Sequence, residues 1–249
     1  TGEGIDTDKI GLPGVQEELA HQICETGTPA VFVHMDAKPS CCEWIAENYA
    51  AVLENWFPGE TGGNALMDVL FGDYNPAGRL PITAPRTEGQ IPIFHSSQNG
   101  SGYTPGDGMV ISKYVEGTKE PLFYFGEGLS YTTFEYQNLQ VNKTVGIDDI
   151  IKVTVDVTNA GQVYGQEVVQ LYMTDEFASM VRPAKELAGF YRVAVSPGET
   201  KKICFEMKPS QFAFLDAGME WIVEKGKMTV HVGGSSKDIR LSESFDITE

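Results

Sequence analysis

The chain has 249 residues, of which 41% are hydrophobic and 21% charged, and this composition is typical of a globular protein. Its 35 acidic residues outnumber 18 Lys and Arg, and the formal net charge of −17 disfavours binding to nucleic-acid phosphates. No apolar run approaches the ~20 residues that cross a bilayer, and the first residues lack the pattern of a signal peptide. The sequence therefore predicts a soluble chain whose partners include neither nucleic acid nor a membrane.

The first predicted element is an amphipathic helix over residues 14–25, with Val15, Leu19 and Ile23 on one apolar stripe. Residues 29–35 follow as a short apolar run rich in β-branched side chains, which is typical of a strand buried on both faces. This part of the chain therefore begins as a helix followed by a buried strand.

A second helix is predicted near residues 43–47, a second strand over 50–56 and a third helix over 64–71. The order helix, strand, helix, strand, helix predicts a parallel sheet covered by helices. Because this pattern begins in mid-motif, we expect the first part of the sheet to lie elsewhere. The glycine-rich stretch 59–63 lacks the Lys-Ser/Thr of a phosphate-binding loop, so a structural turn is favoured there.

From residue 85 to 129 the composition shifts to Gly, Ser, Asn, Thr and Tyr without sustained periodicity. A stretch of this length predicts either a functional loop or an extended linker that wraps on a neighbouring domain. The aromatic residues within 121–131 favour a segment that is pinned down by burial.

Beyond Tyr131 the apolar residues recur with a period of two, in about seven short segments separated by Gly, Pro and Asn turns. The segments are 132–141, 150–159, 167–173, 186–195, 201–207, 219–224 and 226–233. This spacing predicts an antiparallel β-sandwich of the immunoglobulin or fibronectin kind. The expected domains are therefore 1–84, which is α/β, a long loop or linker over 85–129, and an all-β domain over 130–249.

The cysteines show no paired spacing of the kind that zinc or redox sites use; they are Cys24, Cys41, Cys42 and Cys204. Free thiols weakly favour a reducing, cytoplasmic compartment over a periplasmic or secreted one. Against this, residues 99–101 and 142–144 match the N-glycosylation pattern, a tripeptide that also occurs by chance. The compartment is therefore left open by the sequence.

Carboxylates are the candidate catalytic residues that remain after histidine and serine sites are considered. The histidines fall on separate predicted elements with no convergent spacing, and no Gly-x-Ser-x-Gly elbow occurs; they are His21, His34, His95 and His231. A glycosidase needs two carboxyl groups, and Glu3 lies between Gly2 and Gly4, where the backbone can let a substrate approach closely. On composition alone, a solvated terminal carboxylate remains the default for Glu3.

Four long stretches of the sequence together favour a catalytic role for Glu3. They are "GETGGNALMDVLFGDYNPAGRLPIT" (59–83), "PLFYFGEGLSYTTFEY" (121–136), "VTNAGQVYGQEVVQLYM" (157–173) and "KELAGFYRVAVSPGETKKICFEM" (185–207). They resemble the C-terminal half of glycoside hydrolase family 3, in its β-glucosidase and β-xylosidase branch, and the resemblance covers essentially the whole chain. It implies a partial (α/β)6 sandwich followed by a fibronectin type III-like β-sandwich.

The resemblance also implies a site. Gly2-Glu3-Gly4-Ile5-Asp6 aligns with the family's acid/base motif, and the helix start at Leu12-Pro13-Gly14 follows at the expected distance. Glu3 is then the general acid/base and Asp6 its support, whereas Thr7 stands where the family usually has Arg. The nucleophile Asp is expected on a (β/α)8-type barrel outside this chain, and the mechanism requires no metal or organic cofactor.

The function implied by the resemblance is that of an exo-acting, retaining β-glycosidase, most simply a β-glucosidase, whose N-terminal barrel must be supplied before this chain is active. β-Xylosidase, α-arabinofuranosidase and broad-specificity activities stay open, as does a non-catalytic carbohydrate-binding or adhesion module. For residues 85–121, including Phe94 and Tyr103, a role in lining the aglycone side of the pocket competes with a linker that staples domains together. The linker is the favoured interpretation. The β-sandwich is expected to brace the catalytic domains.

Overall fold

The computed structural model describes residues 4–5, 7–40, 42–98, 114–115 and 117–249. By its internal contacts the chain forms two compact units. The first unit draws on Thr1–Tyr74, Ile82–Ile93 and Tyr114–Phe123, and the second on Asn75–Pro81, Phe94–Lys113 and Tyr124–Glu249. The long segment between the predicted domains thus contributes to both units. The domain limits expected at 84/85 and 129/130 stay predictions.

The first unit has the predicted order of elements, and its strands are parallel. They are α1 (Gln16–Glu25), β1 (Val31–His34), α2 (Glu43–Asn48), β2 (Ala51–Glu54) and α3 (Gly62–Phe71). The strands pair from Val31 opposite Ala51 to His34 opposite Glu54. A helical connection between parallel strands is the βαβ arrangement, so the α/β class is confirmed for this part of the chain.

The apolar stripe of α1 is exposed in this chain. Val15, Leu19 and Ile23 are 72%, 56% and 41% exposed, whereas the neighbouring Ala20 is buried. Helix α3 likewise exposes Phe71. An amphipathic helix needs a partner for its apolar side, and no other described element of this unit covers that of α1.

The glycine-rich stretch 59–63 has a structural role at the start of α3. A Cβ atom at Gly62 would lie 2.3 Å from Cβ of Pro58, so only glycine allows the helix to begin this close to the proline. Residues 59–63 therefore form a tight turn that leads into α3.

The first part of the long segment is held within the first unit by the side chain of Gln90. Gln90 lies in a short 3-10 helix, Glu88–Gln90, and its Nε2 donates to the carbonyls of Thr118 and Glu120. Its Oε1 accepts the backbone N–H of Arg86 at 2.6 Å. Two stretches that are distant in sequence are therefore joined through one buried amide.

The second unit is a β-sandwich of a five-stranded and a three-stranded sheet, accompanied by a small hairpin. The five-stranded sheet has the order β4-β12-β11-β6-β7, the three-stranded sheet β3-β5-β8 and the hairpin β10-β9. The strands are β3 (Phe134–Val141), β4 (Thr144–Gly146), β5 (Ile151–Asn159), β6 (Gly165–Asp175), β7 (Glu186–Val195), β8 (Thr200–Met207), β9 (Phe214–Leu215), β10 (Trp221–Ile222), β11 (Gly226–Gly233) and β12 (Ile239–Thr248). The predicted all-β class is confirmed.

The core of the sandwich follows from the alternation of the strands. In β5 the residues Ile151, Val153, Val155 and Val157 are fully buried, while the intervening side chains are more exposed. Side chains alternate between the two faces of a strand, so these four all point into one apolar layer. The same cluster includes Leu171 of β6 and Phe245 of β12.

Strand β12 was not among the segments predicted from alternation. Its inward phase contains Ile239, Leu241, Phe245 and Ile247, but Glu243 interrupts that phase. The Glu243 carboxylate instead bonds the ammonium group of Lys143, which precedes β4.

Within the described parts of the chain, no helix is long and apolar enough to cross a membrane.

Candidate functional site

The predicted catalytic residues Glu3 and Asp6 lie outside the described residues. Of their motif the structure describes Gly4, which has a φ of 69°, and Ile5, whose side chain is exposed. A positive φ is readily adopted only by glycine, so the motif's second glycine is required by the backbone itself. The assignment of Glu3 as the acid/base and of Asp6 as its support stays a prediction.

The segment directly after the motif is shaped by a local turn at Thr7. The Thr7 hydroxyl oxygen accepts the backbone N–H of Lys9 at 3.2 Å, and the same hydroxyl lies 3.2 Å from the Lys9 carbonyl oxygen. A threonine side chain that bonds the backbone two residues on forms a compact turn. The Thr7 side chain therefore shapes its own loop.

The same segment is bound by two side chains that are remote in sequence. The Lys38 ammonium group donates to the carbonyl oxygen of Lys9, and the Glu88 carboxylate accepts the N–H of Ile10 at 2.9 Å. Lys38 follows β1, and Glu88 begins the 3-10 helix of the long segment. Side chains from two other parts of the first unit thus hold the backbone that follows the predicted acid.

The carboxyl ends of the parallel strands carry a cluster of polar side chains. His34, the last residue of β1, places Nδ1 2.7 Å from Oε2 of Glu54, the last residue of β2. Its Nε2 lies 3.0 Å from the Ser40 hydroxyl oxygen and 3.9 Å from a carboxylate oxygen of Asp36. The other carboxylate oxygen of Glu54 is buried and has no hydrogen-bond partner among the described residues.

The row Ser40, His34, Glu54 has the order of a hydrolytic triad, but its burial points to a structural role. A nucleophilic serine must be reachable by substrate, whereas Ser40 is 7% exposed and His34 6% exposed. The row instead fixes the connection between β1 and α2, which carries Lys38. In open α/β sheets, ligands bind beyond the carboxyl ends of the strands, and this connection lies at that edge.

The second unit contains a polar cavity of about 400 Å³ beside β12 and the chain that leads into β3. Its charged lining residues are Arg79, Glu127, Glu167, Lys237, Asp238 and Arg240. These charges are largely engaged with one another: Arg79 bonds Glu167 at 3.2 Å, and Arg240 bonds Asp238 at 2.8 Å. Burial, followed by the nearby Asp238 carboxylate, raises the pKa of Glu127. Four of the six charged lining residues are thus paired with one another.

The four histidines have separate immediate partners. His21 lies against the Trp44 ring, His34 bonds Glu54, His95 stacks on Phe125, and His231 bonds Thr174 and Ser242. The pKa values of His95 and His231 are both lowered, first by burial and then by the charge of Lys185. Among the described residues, no group of His, Cys, Asp or Glu has the arrangement of a metal site.

The sequence did not predict that the side chains of Lys38 and Glu88 bind the backbone of Lys9 and Ile10. Lys38 lies in a polar break and Glu88 in an aperiodic stretch, and Glu88 is 78 residues from its partner Ile10. Both side chains bind backbone groups, and such contacts produce no motif in the sequence. The histidine–glutamate pair had a weak signal, because each residue lies near the end of a predicted strand (29–35 and 50–56) of one parallel sheet.

Comparison with protein-family models gives two matches. Residues 1–131 match the model for the glycosyl hydrolase family 3 C-terminal domain. Residues 167–236 match the model for a fibronectin type III-like domain. The first match includes the motif with Glu3, and the second lies within the β-sandwich.

Similar proteins of known sequence and structure are about three times longer. A β-xylosidase of Formosa agariphila is 40% identical over 95% of this chain and 32% of its own length. A periplasmic β-glucosidase of Salmonella typhimurium is 39% identical over 98% of the chain and 32% of its own length. The solved structure of a β-glucosidase from Listeria innocua in complex with glucose matches 100% of this chain and 35% of its own, with a TM-score of 0.92 and 33% identity. The chain thus spans about a third of the length of the relatives it matches.

Proposed function

The chain belongs to glycosyl hydrolase family 3, and from that membership we propose that it is the C-terminal portion of an exo-acting, retaining β-glycosidase. In this proposal Glu3 is the general acid/base, Asp6 supports it, and the nucleophile Asp lies on an upstream barrel. The substrates are glycosides or oligosaccharides with a terminal, non-reducing β-linked sugar. β-Glucosidase is the first candidate activity and β-xylosidase the second, because similar proteins carry both names.

The observation that carries the proposal is the attachment of the segment after the motif to the carboxyl edge of the parallel strands. Lys9 is held by Lys38, which lies in the connection after β1, and Ile10 is held by Glu88. Ligands of open α/β sheets bind at that edge. A catalytic loop that starts only a few residues earlier is therefore well placed to reach a substrate.

The proposed chemistry divides the two carboxyl groups between two parts of the protein. In a retaining glycosidase one carboxylate attacks the anomeric carbon, while the other group protonates the leaving oxygen and later takes a proton from water. Glu3 would perform the second task. Because the nucleophile belongs to the upstream part, this chain alone would neither form nor hydrolyse the glycosyl-enzyme intermediate.

The exposed apolar side of α1 supports an upstream partner within the same protein. Val15 and Leu19 are 72% and 56% exposed, which is unusual for the apolar stripe of an amphipathic helix. We expect the upstream part to cover this stripe. The upstream residues would then complete both the sheet and the active site.

A non-catalytic sugar-binding module is the alternative from another class, and exposed aromatic residues on the sandwich would favour it. Phe190 and Tyr191 of β7 are both more than half exposed. As neighbours on one strand they point to opposite faces, so they do not form a single platform for a sugar ring. Trp221 is exposed on β10, in the separate hairpin. The catalytic proposal is favoured.

The experiment that tests the role of Glu3 compares leaving groups in the complete protein. Glu3→Gln should lower kcat on alkyl glycosides or disaccharides by about 10²- to 10⁴-fold, the usual contribution of a general acid. Activated aryl glycosides should lose much less in the glycosylation step, because their departure needs little protonation. Asp6→Asn should show the same selectivity with a smaller loss.

Asp8→Asn is the matched control, since Asp8 is an exposed carboxylate five residues from Glu3. It should leave both substrate types unaffected. Equal losses on both substrates in Glu3→Gln, or no loss, would remove Glu3 from this role. Binding of oligosaccharide by this chain in isolation would favour the sugar-binding module instead.

A further inference from the structure

Lys38 and Glu88 bind opposite edges of a single peptide group. The carbonyl of Lys9 and the N–H of Ile10 belong to the same peptide bond, and the first accepts from Lys38 while the second donates to Glu88. In a trans peptide these two groups point in opposite directions within one rigid plane. A positive side chain on one edge and a negative one on the other therefore fix the orientation of that plane.

The backbone around this peptide bond depends on side chains for its hydrogen bonds. The N–H of Lys9 is bound by the Thr7 hydroxyl, the carbonyl of Lys9 by Lys38 and the N–H of Ile10 by Glu88. Residues 7–10 belong to no helix or strand. Their conformation is consequently set by these three side chains and is not inherited from a helix or sheet.

Each of the two charged side chains is presented by a firmly held element. Lys38 lies in the β1–α2 connection, where buried Ser40 bonds His34 and His34 bonds Glu54. Glu88 lies in the 3-10 helix that buried Gln90 anchors through its own hydrogen bonds. Supports of this kind limit the movement of a side chain that holds a functional loop.

We propose that Lys38 and Glu88 are positioning residues that clamp the Lys9–Ile10 peptide and thereby orient the loop carrying the general acid/base. This inference rests on the proposed role of Glu3. Because a small misplacement of a catalytic group costs rate, loss of the clamp should slow the glycosylation step only where proton donation to the leaving group is limiting.

The test measures kcat/KM of the complete protein, which reports the glycosylation step, on a poor and on an activated leaving group. Lys38→Met and Glu88→Met should each lower kcat/KM about tenfold on a disaccharide and less than about twofold on a dinitrophenyl glycoside. Lys38→Arg keeps a donor and Glu88→Gln keeps an acceptor oxygen, so both should retain near-normal rates. The double variant Lys38→Met/Glu88→Met should lose little more than either single variant, because one clamp is removed in each case.

The matched controls are Lys227→Met and Glu135→Met, two exposed side chains in the second unit, which should not change the ratio of the two rates. Amide hydrogen exchange gives a readout besides activity: the Ile10 N–H should exchange faster in Glu88→Met than in Glu135→Met. Equal losses on both substrates, or unchanged Ile10 exchange, would overturn the clamp while Glu3→Gln still discriminates between leaving groups. If Glu3→Gln itself does not discriminate, the proposed function fails first, and the clamp fails with it.

Discussion

The parallel strands of the first unit and the sheets of the second unit are both rich in β-branched residues, yet they differ in burial. In β1, Val31 is 42% exposed, whereas Val153 and Val155 of β5 are fully buried. The sandwich closes its apolar layer with its own two sheets. In the part of the chain that the structure describes, the α/β unit has two strands and leaves the apolar side of α1 open. Burial is what converts apolar area into stability, so the two units should respond differently to the same kind of substitution.

The largest difference is expected for ion pairs. Glu167→Met leaves the Arg79 guanidinium, 9% exposed, without its carboxylate in the second unit. Breaking a buried pair in this way costs about 3–5 kcal/mol. Glu43→Met breaks the 2.6 Å pair with Arg86 in the first unit, whose side chains are 41% and 25% exposed, and should cost about 1 kcal/mol or less.

Urea titration with hydrogen exchange on protected peptides of each unit would measure both ion-pair variants. The expected outcome is a large shift in the midpoint for the sandwich and a small one for the α/β unit. Equal shifts would show that the two pairs are buried alike in solution.

The next difference concerns core leucines. Leu171→Ala in β6 removes a fully buried side chain and should lower the free energy of unfolding by about 2–5 kcal/mol. Leu19→Ala in α1 removes one that is 56% exposed and should cost less than about 1 kcal/mol in this chain.

The same leucine pair also tests the proposed upstream partner. In the complete protein, Leu19→Ala should become more costly, by up to about 2 kcal/mol, if upstream residues cover α1. Thermal unfolding of the chain and of the complete protein, each with both variants, makes the comparison. An unchanged cost for Leu19→Ala would mean that α1 stays exposed in the complete protein.

Much of the fold could be predicted because local patterns report it directly. Alternation identified β5 through its four inward residues, and helical spacing identified α1 and α3. Strand β12 was missed because Glu243 occupies an inward phase and binds Lys143, 100 residues away in sequence. A pattern of period two cannot anticipate a partner at that distance.

The site was less predictable for a related reason. Glu3 was identified through its resemblance to a family motif, since composition alone favours a solvated terminal carboxylate. Lys38 and Glu88 bind backbone atoms. Nearly every residue offers the same backbone groups, so the sequence does not mark the segment that these side chains bind. Only the folded arrangement brings these three segments together.

The smallest expected effect is a pH dependence confined to the second unit. His95 stacks on Phe125 with ring centroids 3.9 Å apart, and burial, followed by the charge of Lys185, lowers its pKa. The pKa of His231 is lowered by the same causes in the same order. Both histidines thus take up a proton more readily in the unfolded chain, where the ordinary pKa is about 6.5. Their contribution to stability is complete above that value and is lost as the pH falls through the folded pKa values.

Stability of the sandwich should therefore decrease from pH 7 to pH 5, and His95→Gln should flatten this slope. Glu127 and Asp175 act in the opposite sense, because burial raises the pKa of each carboxyl and lets the folded state keep its proton. Both carboxyl groups are present in the parent and in the histidine variants, so their share cancels when the slopes are compared. The double variant His95→Gln/His231→Gln should be flatter still in urea titrations at each pH. A slope that is the same in the double variant and the parent would assign the acid sensitivity to other groups.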